Sequence, residues 1–435
     1  MEICLTHRGA GIRKEYLTEH ELRKLRTALT VTPETPGQKI VFNPKRYPIY
    51  QESLNKIYVP KHYALEHFSS KATFVSKTIE APLFLSHNVG FTGSLRDEQR
   101  APVKALLDAP HGGVLNIACG GGKTTMALYA IHKLGMRAVI IVHKDFLLTQ
   151  WRERIEQFLP AARIGLIKGP LADVANKDIV IASLQSLAMK EYPRDLFDGF
   201  GTLVVDEVHH TSAEVFNRAL FKTSLKFTIG LTATVDRKDG LSKVFLWHLG
   251  PVVFKAEQRV DTVNVYTHMN PSMPPLVDSH PSRALNQVCE NEARNKRIIA
   301  LIESLPANRK TLVLSDRIQQ LKYISKHLTT KTHGMYIGGM KSDALKACED
   351  KQVIFATYAI ASEGYDQKGL DTLVLSSPRS DVVQSVGRIL REKEADRKTV
   401  PEIHDFIDMV GHFAGQWRKR RAFYKKCGYA IQTTK

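Results

Sequence analysis

Cysteine is scarce and never paired: Cys4, Cys119, Cys289, Cys348 and Cys427 stand singly, with no CxxC among them. That spacing argues against a structural zinc site and against a disulfide framework, and a reducing compartment fits best. No apolar run is long enough to span a bilayer. The opening MEICLTHRGAGIRKEY lacks the apolar core of a signal peptide, so the chain is expected to stay where it is made. Neither an internal repeat nor a low-complexity tract is present. Acidic residues are in deficit, with 44 Asp and Glu against 62 Lys and Arg, a net charge of +18. So large an excess suggests a polyanionic partner, because neutralised phosphates release their condensed counterions. A membrane surface would call for a basic amphipathic helix with an apolar face, and none stands out.

What is there is α/β patterning. The 435 residues suffice for two or three domains. Residues 1–87 mix a helical segment, Glu19 to Thr30, with aromatic pieces punctuated by proline, and read as a small N-terminal accessory domain with DNA binding as a candidate role. From residue 88 to 257, VLNIA, AVIIV, DIVIAS, TLVVDE and FTIGLTAT have the brief, apolar, β-branched character of buried parallel strands. KTTMALYAIHKLG and LLTQWRERIEQFL lie between them as amphipathic helices, which predicts an open parallel sheet. The Pro-rich stretch from Met269 to Ser282 reads as a loop or linker. A second alternation follows within residues 258–435, with KTLVLSD, GMYIGG, VIFAT and TLVLSS as strands. WRKRRAFYKKCGYAI closes the chain as a basic helix and a short strand.

The strongest chemical signal is ACGGGKTT, Ala118 to Thr125, placed between a strand and a helix. Small residues let successive backbone N–H groups converge on phosphates; a lysine then reaches the terminal oxygens and a hydroxyl holds Mg²⁺. Gly120, Gly121, Gly122, Lys123 and Thr124 supply these parts, although Ile117 stands where the general pattern has its first glycine. The second signal is TLVVDEVHH, Thr202 to His210. A carboxylate ending a strand is more often a solvated cap, but this strand is apolar and lies a few βα units beyond the phosphate loop. Asp206 would hold Mg²⁺ and Glu207 would orient and deprotonate the attacking water.

The DEVH box, LTAT at Leu231 to Thr234 and QSVGRILR at Gln384 to Arg391, in that order, resemble superfamily 2 helicases over roughly Leu95 to Arg391. LTATVDRKDGLSKVF and ATYAIASEGYDQKGLDTLVLSSPRSDVVQSVGRILR are similar to the XPB-like branch, to poxvirus-type transcript-release helicases and to phage recombination helicases. The resemblance implies two tandem RecA-like domains and a set of roles. Gln99 sits where the family reads adenine, with Cys119, Thr125, Gly364 and Asp366 also at the nucleotide. Gln150, Trp151 and Arg154 in TQWRERI, Ser183, Gln185 and Ser186 in IASLQS, and Arg317 and Thr357 match strand-contacting positions. His209, Thr232 and Thr234 match residues that couple hydrolysis to strand movement. Gln384, Arg388 and Arg391 resemble the motif that completes the ATP site from the second lobe. Val235 departs from the proline common after LTAT, and Gln384 replaces the histidine of DEAD-box proteins.

The resemblance further implies ATP and Mg²⁺ as cofactors and a 3′ to 5′ DNA motor acting on single-stranded, forked or branched DNA, with RNA as the alternative partner. It is compatible with a monomer in the cytoplasm or nucleoid, or the host cytoplasm for a virus. The terminal Arg418, Lys419, Arg420, Arg421, Lys425 and Lys426, interleaved with Trp417, Phe423 and Tyr424, read equally well as a phosphate- and base-binding surface or as a solvated basic helix.

Overall fold

The computed structural model describes residues 1–33, 46–76, 82–118, 120–193, 195–207, 213–234, 240–256, 261–270, 276, 280–338, 340, 347–348, 350–363, 367, 369–392, 394 and 397–434. The chain forms two compact units, Met1–Glu257 and Gln258–Lys435.

The first unit holds two sheets. The smaller has the strand order Gln51–Glu52, Lys56–Val59, Gly9–Arg13, Glu2–Thr6, Thr73–Ser76, antiparallel except for its last pair. The helix Glu19–Ala28 starts at a capping box in which Thr18 and Glu21 satisfy each other's backbone N–H groups. Its buried Leu22 and Leu25 join Ile3, Ile12 and Ile57 in a core that also takes in Ala213, Leu241 and Val244 from further along the chain. The N-terminal residues therefore share a hydrophobic core with the segment they precede, and both lie within one compact unit.

The larger sheet has eight strands, in the order Leu171–Asp173, Ile164–Lys168, Ile179–Ser183, Ala138–Val142, Thr202–Asp206, Phe227–Thr232, Gly112–Asn116, Val252–Lys255. All neighbours are parallel apart from the first pair. Ala138–Val142 is buried throughout, as expected of an apolar strand covered by helices on both faces. Chain order breaks between Gly112–Asn116 and Ala138–Val142, which are separated in the sheet by Thr202–Asp206 and Phe227–Thr232. Such a switch point opens a crevice at the carboxyl ends of the strands, where ligands bind in open α/β sheets.

The second unit is built on a seven-stranded, fully parallel sheet: His333–Tyr336, Val353–Thr357, Thr311–Ser315, Thr372–Leu375, Glu402–Ile407, Asn264–Met269, Ala430–Thr434. Apolar clusters fill both of its faces. Two arginines are sunk among them, each clamped by a carboxylate. Arg294 meets Asp408 through Nε and Nη2, both at 3.0 Å. Arg420 meets Asp405 at 2.8 and 2.9 Å, with the Tyr424 hydroxyl also donating to Asp405. Buried charges persist only with such hydrogen-bonded partners. The Pro-rich stretch follows the strand Asn264–Met269, and its residues 271–275 and 277–279 lie outside the described residues.

Candidate functional site

The phosphate loop leaves the strand Gly112–Asn116 and enters the helix Lys123–Leu134. Gly120 and Gly122 adopt positive φ, 80° and 79°. The φ at Gly122 is one that side chains rarely adopt, which favours glycine in this turn, and a Cβ there would also displace the Gln99 amide. The Lys123 ammonium donates to the Ile117 carbonyl at 3.1 Å and lies 3.7 Å from Glu207. Glu207 is one of only two non-glycine residues with positive φ among the described residues, at 50°. Backbone strain of this kind costs of order 1–3 kcal/mol and gathers at functional sites. It turns the carboxylate that follows the strand Thr202–Asp206 toward the lysine.

Asp206 ends that strand half-buried, and its Oδ2 accepts a hydrogen bond of 2.9 Å from the Trp151 indole. Packing around the carboxyl and the charge of Glu207 push it up to about 6, against the pull of Lys123 and Trp151. On the neighbouring strand Phe227–Thr232, the Thr232 hydroxyl donates to the Thr234 carbonyl at 2.6 Å and accepts from the Thr234 N–H at 3.2 Å, fixing the LTAT turn. Three adjacent strand ends thus carry the loop, the acidic pair and the threonine turn.

The group that fits is a magnesium nucleotide. A glycine loop with two positive-φ positions, a buried lysine at a helix start, and a hard oxygen set of the Thr124 hydroxyl and the Asp206 carboxylate suit phosphates and Mg²⁺. When bound, the metal would supply charge neutralisation on the phosphates.

Other expected contacts are placed differently. Trp151 is 1% exposed, so a strand cannot reach it. Its assignment to the strand surface is corrected to the interior, because Leu147, Leu148, Trp151 and Ile155 form the buried face of the helix Asp145–Phe158. That spacing in the sequence was the overlooked signal. Gln150 and Arg154 on the same helix are half-exposed. Gln99 is 3% exposed, with its oxygen accepting from Arg96 N–H and its amide nitrogen 3.4 Å from the Gly121 carbonyl; in this conformation it braces the loop. The Ser183 hydroxyl caps the helix Leu184–Met189, Gln185 donates to the His143 carbonyl, and the Ser186 hydroxyl accepts from Gly169 N–H.

In the second unit Arg317 donates to Asn286 and Ser282, and Thr357 ends its strand half-exposed. Arg388 is 6% exposed and its Nε donates to the Ala361 carbonyl at 2.5 Å. Gln384 and Arg391 are half-exposed at either end of the same short segment. Cys119, His209, Gly364 and Asp366 lie outside the described residues. Arg420, Phe423 and Tyr424 turn inward, which removes them from the basic surface expected of the tail.

A parallel sheet with a phosphate loop and an acidic strand end at its switch point, followed by a second parallel α/β unit, defines a RecA-like nucleotide-driven motor. Residues 92–237 match the family described as "Type III restriction enzyme, res subunit". Over 98% of its length the chain is 30% identical to a protein of Acanthamoeba polyphaga mimivirus, covering 86% of it, whose name proposes an ATP-dependent RNA helicase. It is 26% identical over 99% of its length to an African swine fever virus protein, 92% covered, with a name of the same kind. Among solved structures, the ATP-dependent type ISP restriction-modification enzyme LlaBIII bound to DNA is similar at a TM-score of 0.53 and 15% identity. That match covers 79% of this chain and 32% of the enzyme and bears on fold alone. The chain belongs to the superfamily 2 helicases, together with these viral relatives, and is an ATP-dependent helicase.

Proposed function

We propose that the chain is a DNA translocase or helicase that moves 3′ to 5′ on forked or branched DNA in recombination, repair or fork remodelling, using Mg²⁺ with ATP. The observation that carries the motor chemistry is the convergence of Lys123 and Glu207, 3.7 Å apart, beside Asp206. In this reading Lys123 grips the terminal phosphates, Thr124 and Asp206 hold Mg²⁺, and Glu207 orients the attacking water and takes its proton. Thr232 and Thr234 relay the change to strand-binding surfaces that include Gln150 and Arg154. Arg388 and Arg391, with Gln384, stabilise the charge that develops on transfer. DNA is preferred because the phage recombination and XPB-like resemblance and the restriction-enzyme family match both lie with DNA motors.

The names of the two full-length viral relatives favour a second reading, an RNA helicase or a motor that releases transcripts. ATP hydrolysis measured with single-stranded DNA, duplex DNA, forked DNA and RNA separates the two, with Glu207→Gln as the inactive control. Stimulation by DNA, strongest with forks, is expected; stimulation by RNA alone would overturn the preference.

A further inference from the structure

The helix Phe413–Lys426 carries six Lys and Arg residues, and no Asp or Glu occurs from Gly411 to Lys435. The structure sorts these cations into three groups. Arg420 is spent inside the unit on Asp405, and its guanidinium lies 5.8 Å from the centre of the Trp417 ring. The other five are all exposed, and Arg418, Lys419 and Lys426 lie off the groove that Arg421 and Lys425 line. Trp417, Arg421 and Lys425 recur every four residues and so share one face of the helix. With the strands Asn264–Met269 and Ala430–Thr434, that face lines a groove of about 410 Å³. Thr267, Ile431 and Thr433 contribute to its lining. The Thr267 hydroxyl is engaged with the Gln432 carbonyl and the Thr433 hydroxyl.

We propose that this groove binds a single-stranded nucleic acid, one base stacking on Trp417 while Arg421 and Lys425 take neighbouring phosphates. The proposal rests on the nucleic-acid reading above, at a site apart from the strand-contacting positions carried over from the family. Trp417 is half-buried, packing in part against the core that includes Tyr424, and its remaining surface lines the groove beside two cations. Aromatic rings beside a positive track are how proteins hold single strands without reading sequence. An acidic peptide would use the cations and leave the ring idle. The two cations sit one helical turn apart, about 6 Å, and nothing acidic on the helix competes for them.

The test uses the full chain and a fluorescein-labelled oligothymidylate, followed by anisotropy across a salt series. Arg421→Ala combined with Lys425→Ala is expected to weaken binding roughly tenfold and to flatten the salt slope by about 1.4, at about 0.7 per phosphate contact on a single strand. Trp417→Leu should weaken binding at least about fivefold with the slope unchanged, and Trp417→Phe should recover most of that loss. Arg418→Ala with Lys419→Ala, on the same helix but off the groove, should change affinity less than about twofold. Equal losses from the two double variants would overturn the groove, as would displacement of the oligonucleotide by polyglutamate as readily as by unlabelled strand. ATP hydrolysis by the unmodified chain keeps the two readings apart. If nucleic acid stimulates it and the groove variants bind normally, the groove alone fails; if no nucleic acid binds or stimulates, the motor reading fails with it.

Discussion

The hydrogen bond from the Trp151 indole to Asp206 ties the helix Asp145–Phe158 to the carboxylate expected to hold Mg²⁺. Hydrogen bonds to charged groups contribute about 1.5–3 kcal/mol, so removing this donor should be felt as roughly 10–100-fold. Trp151→Phe keeps most of the ring and deletes the N–H. It should lower kcat by about that factor and raise the Mg²⁺ needed for half-maximal rate, leaving the ATP KM nearly unchanged; unchanged Mg²⁺ dependence would reduce Trp151 to packing. Asp206 itself illustrates function set against stability. With its carboxyl pushed up to about 6, the folded protein holds a proton that the unfolded chain has released between about pH 4 and 6. Stability therefore falls as pH rises through that window, and the penalty is complete above it. Asp206→Asn should raise Tm by about 2–4 °C per kcal/mol relieved at pH 7.5 without nucleotide, with the gain shrinking toward pH 4. Lys123, Asp206 and Glu207, which the fold brings together, stood out in the sequence because the chemistry expected of them calls for fixed residue types at fixed spacing. The partners did not, since Trp151 lies 55 residues from Asp206 and no local pattern reports so distant a contact.

Secondary-structure elements divide along similar lines. The central strands of both large sheets were readable because they are short apolar, β-branched runs buried on both faces. Ile164–Lys168, Leu171–Asp173, Val252–Lys255, Asn264–Met269 and Glu402–Ile407, which are partly exposed or interrupted by polar residues, were not readable in this way. The N-terminal sheet was not, because its strands are two to five residues long, and its docking depends on residues far along the chain. The helix Lys61–Phe68 shows how that docking works. Lys61 is 1% exposed and donates to the Leu225 and Lys226 carbonyls at 2.8 and 3.1 Å. His62 next to it bonds the Thr228 hydroxyl at 2.8 Å. Burial pulls Lys61 down to about 7. Between pH 7 and its unfolded value near 10.4, the unfolded chain binds the proton that the folded chain has lost. Stability contributed by this group must therefore rise with pH across that range, by an amount on the order of a few kcal/mol. Melting curves from pH 7.5 to 9.5 should show a positive slope relative to Lys61→Met, whatever the offset from its lost hydrogen bonds. Cys289, held up to about 11, acts in the opposite direction but is common to both proteins. Parallel curves would mean that Lys61 stays charged and is paired by the two carbonyls alone.

At the scale of the whole molecule, the proposed function divides catalysis between the two units of a chain carrying a net charge of +18. The phosphate loop and acidic pair belong to the first unit, and Arg388 belongs to the second. In the second unit Arg388 is also a brace, donating to the Ala361 carbonyl, so a loss of activity after truncation could come from either role. The two separate by measurement. If Arg388 stabilises transition-state charge, Arg388→Ala should bind a fluorescent ATP analogue within about threefold of the parent while turnover falls by about 10³–10⁵. Arg388→Lys should restore much of the melting temperature and little of the turnover, because an ammonium cannot reproduce the planar fork of a guanidinium. A variant that melts early but hydrolyses ATP at the parental rate would leave Arg388 as a brace only. Turnover would then have to depend on Arg391 or on the first unit alone, and the second unit would lose its assigned part in the chemical step.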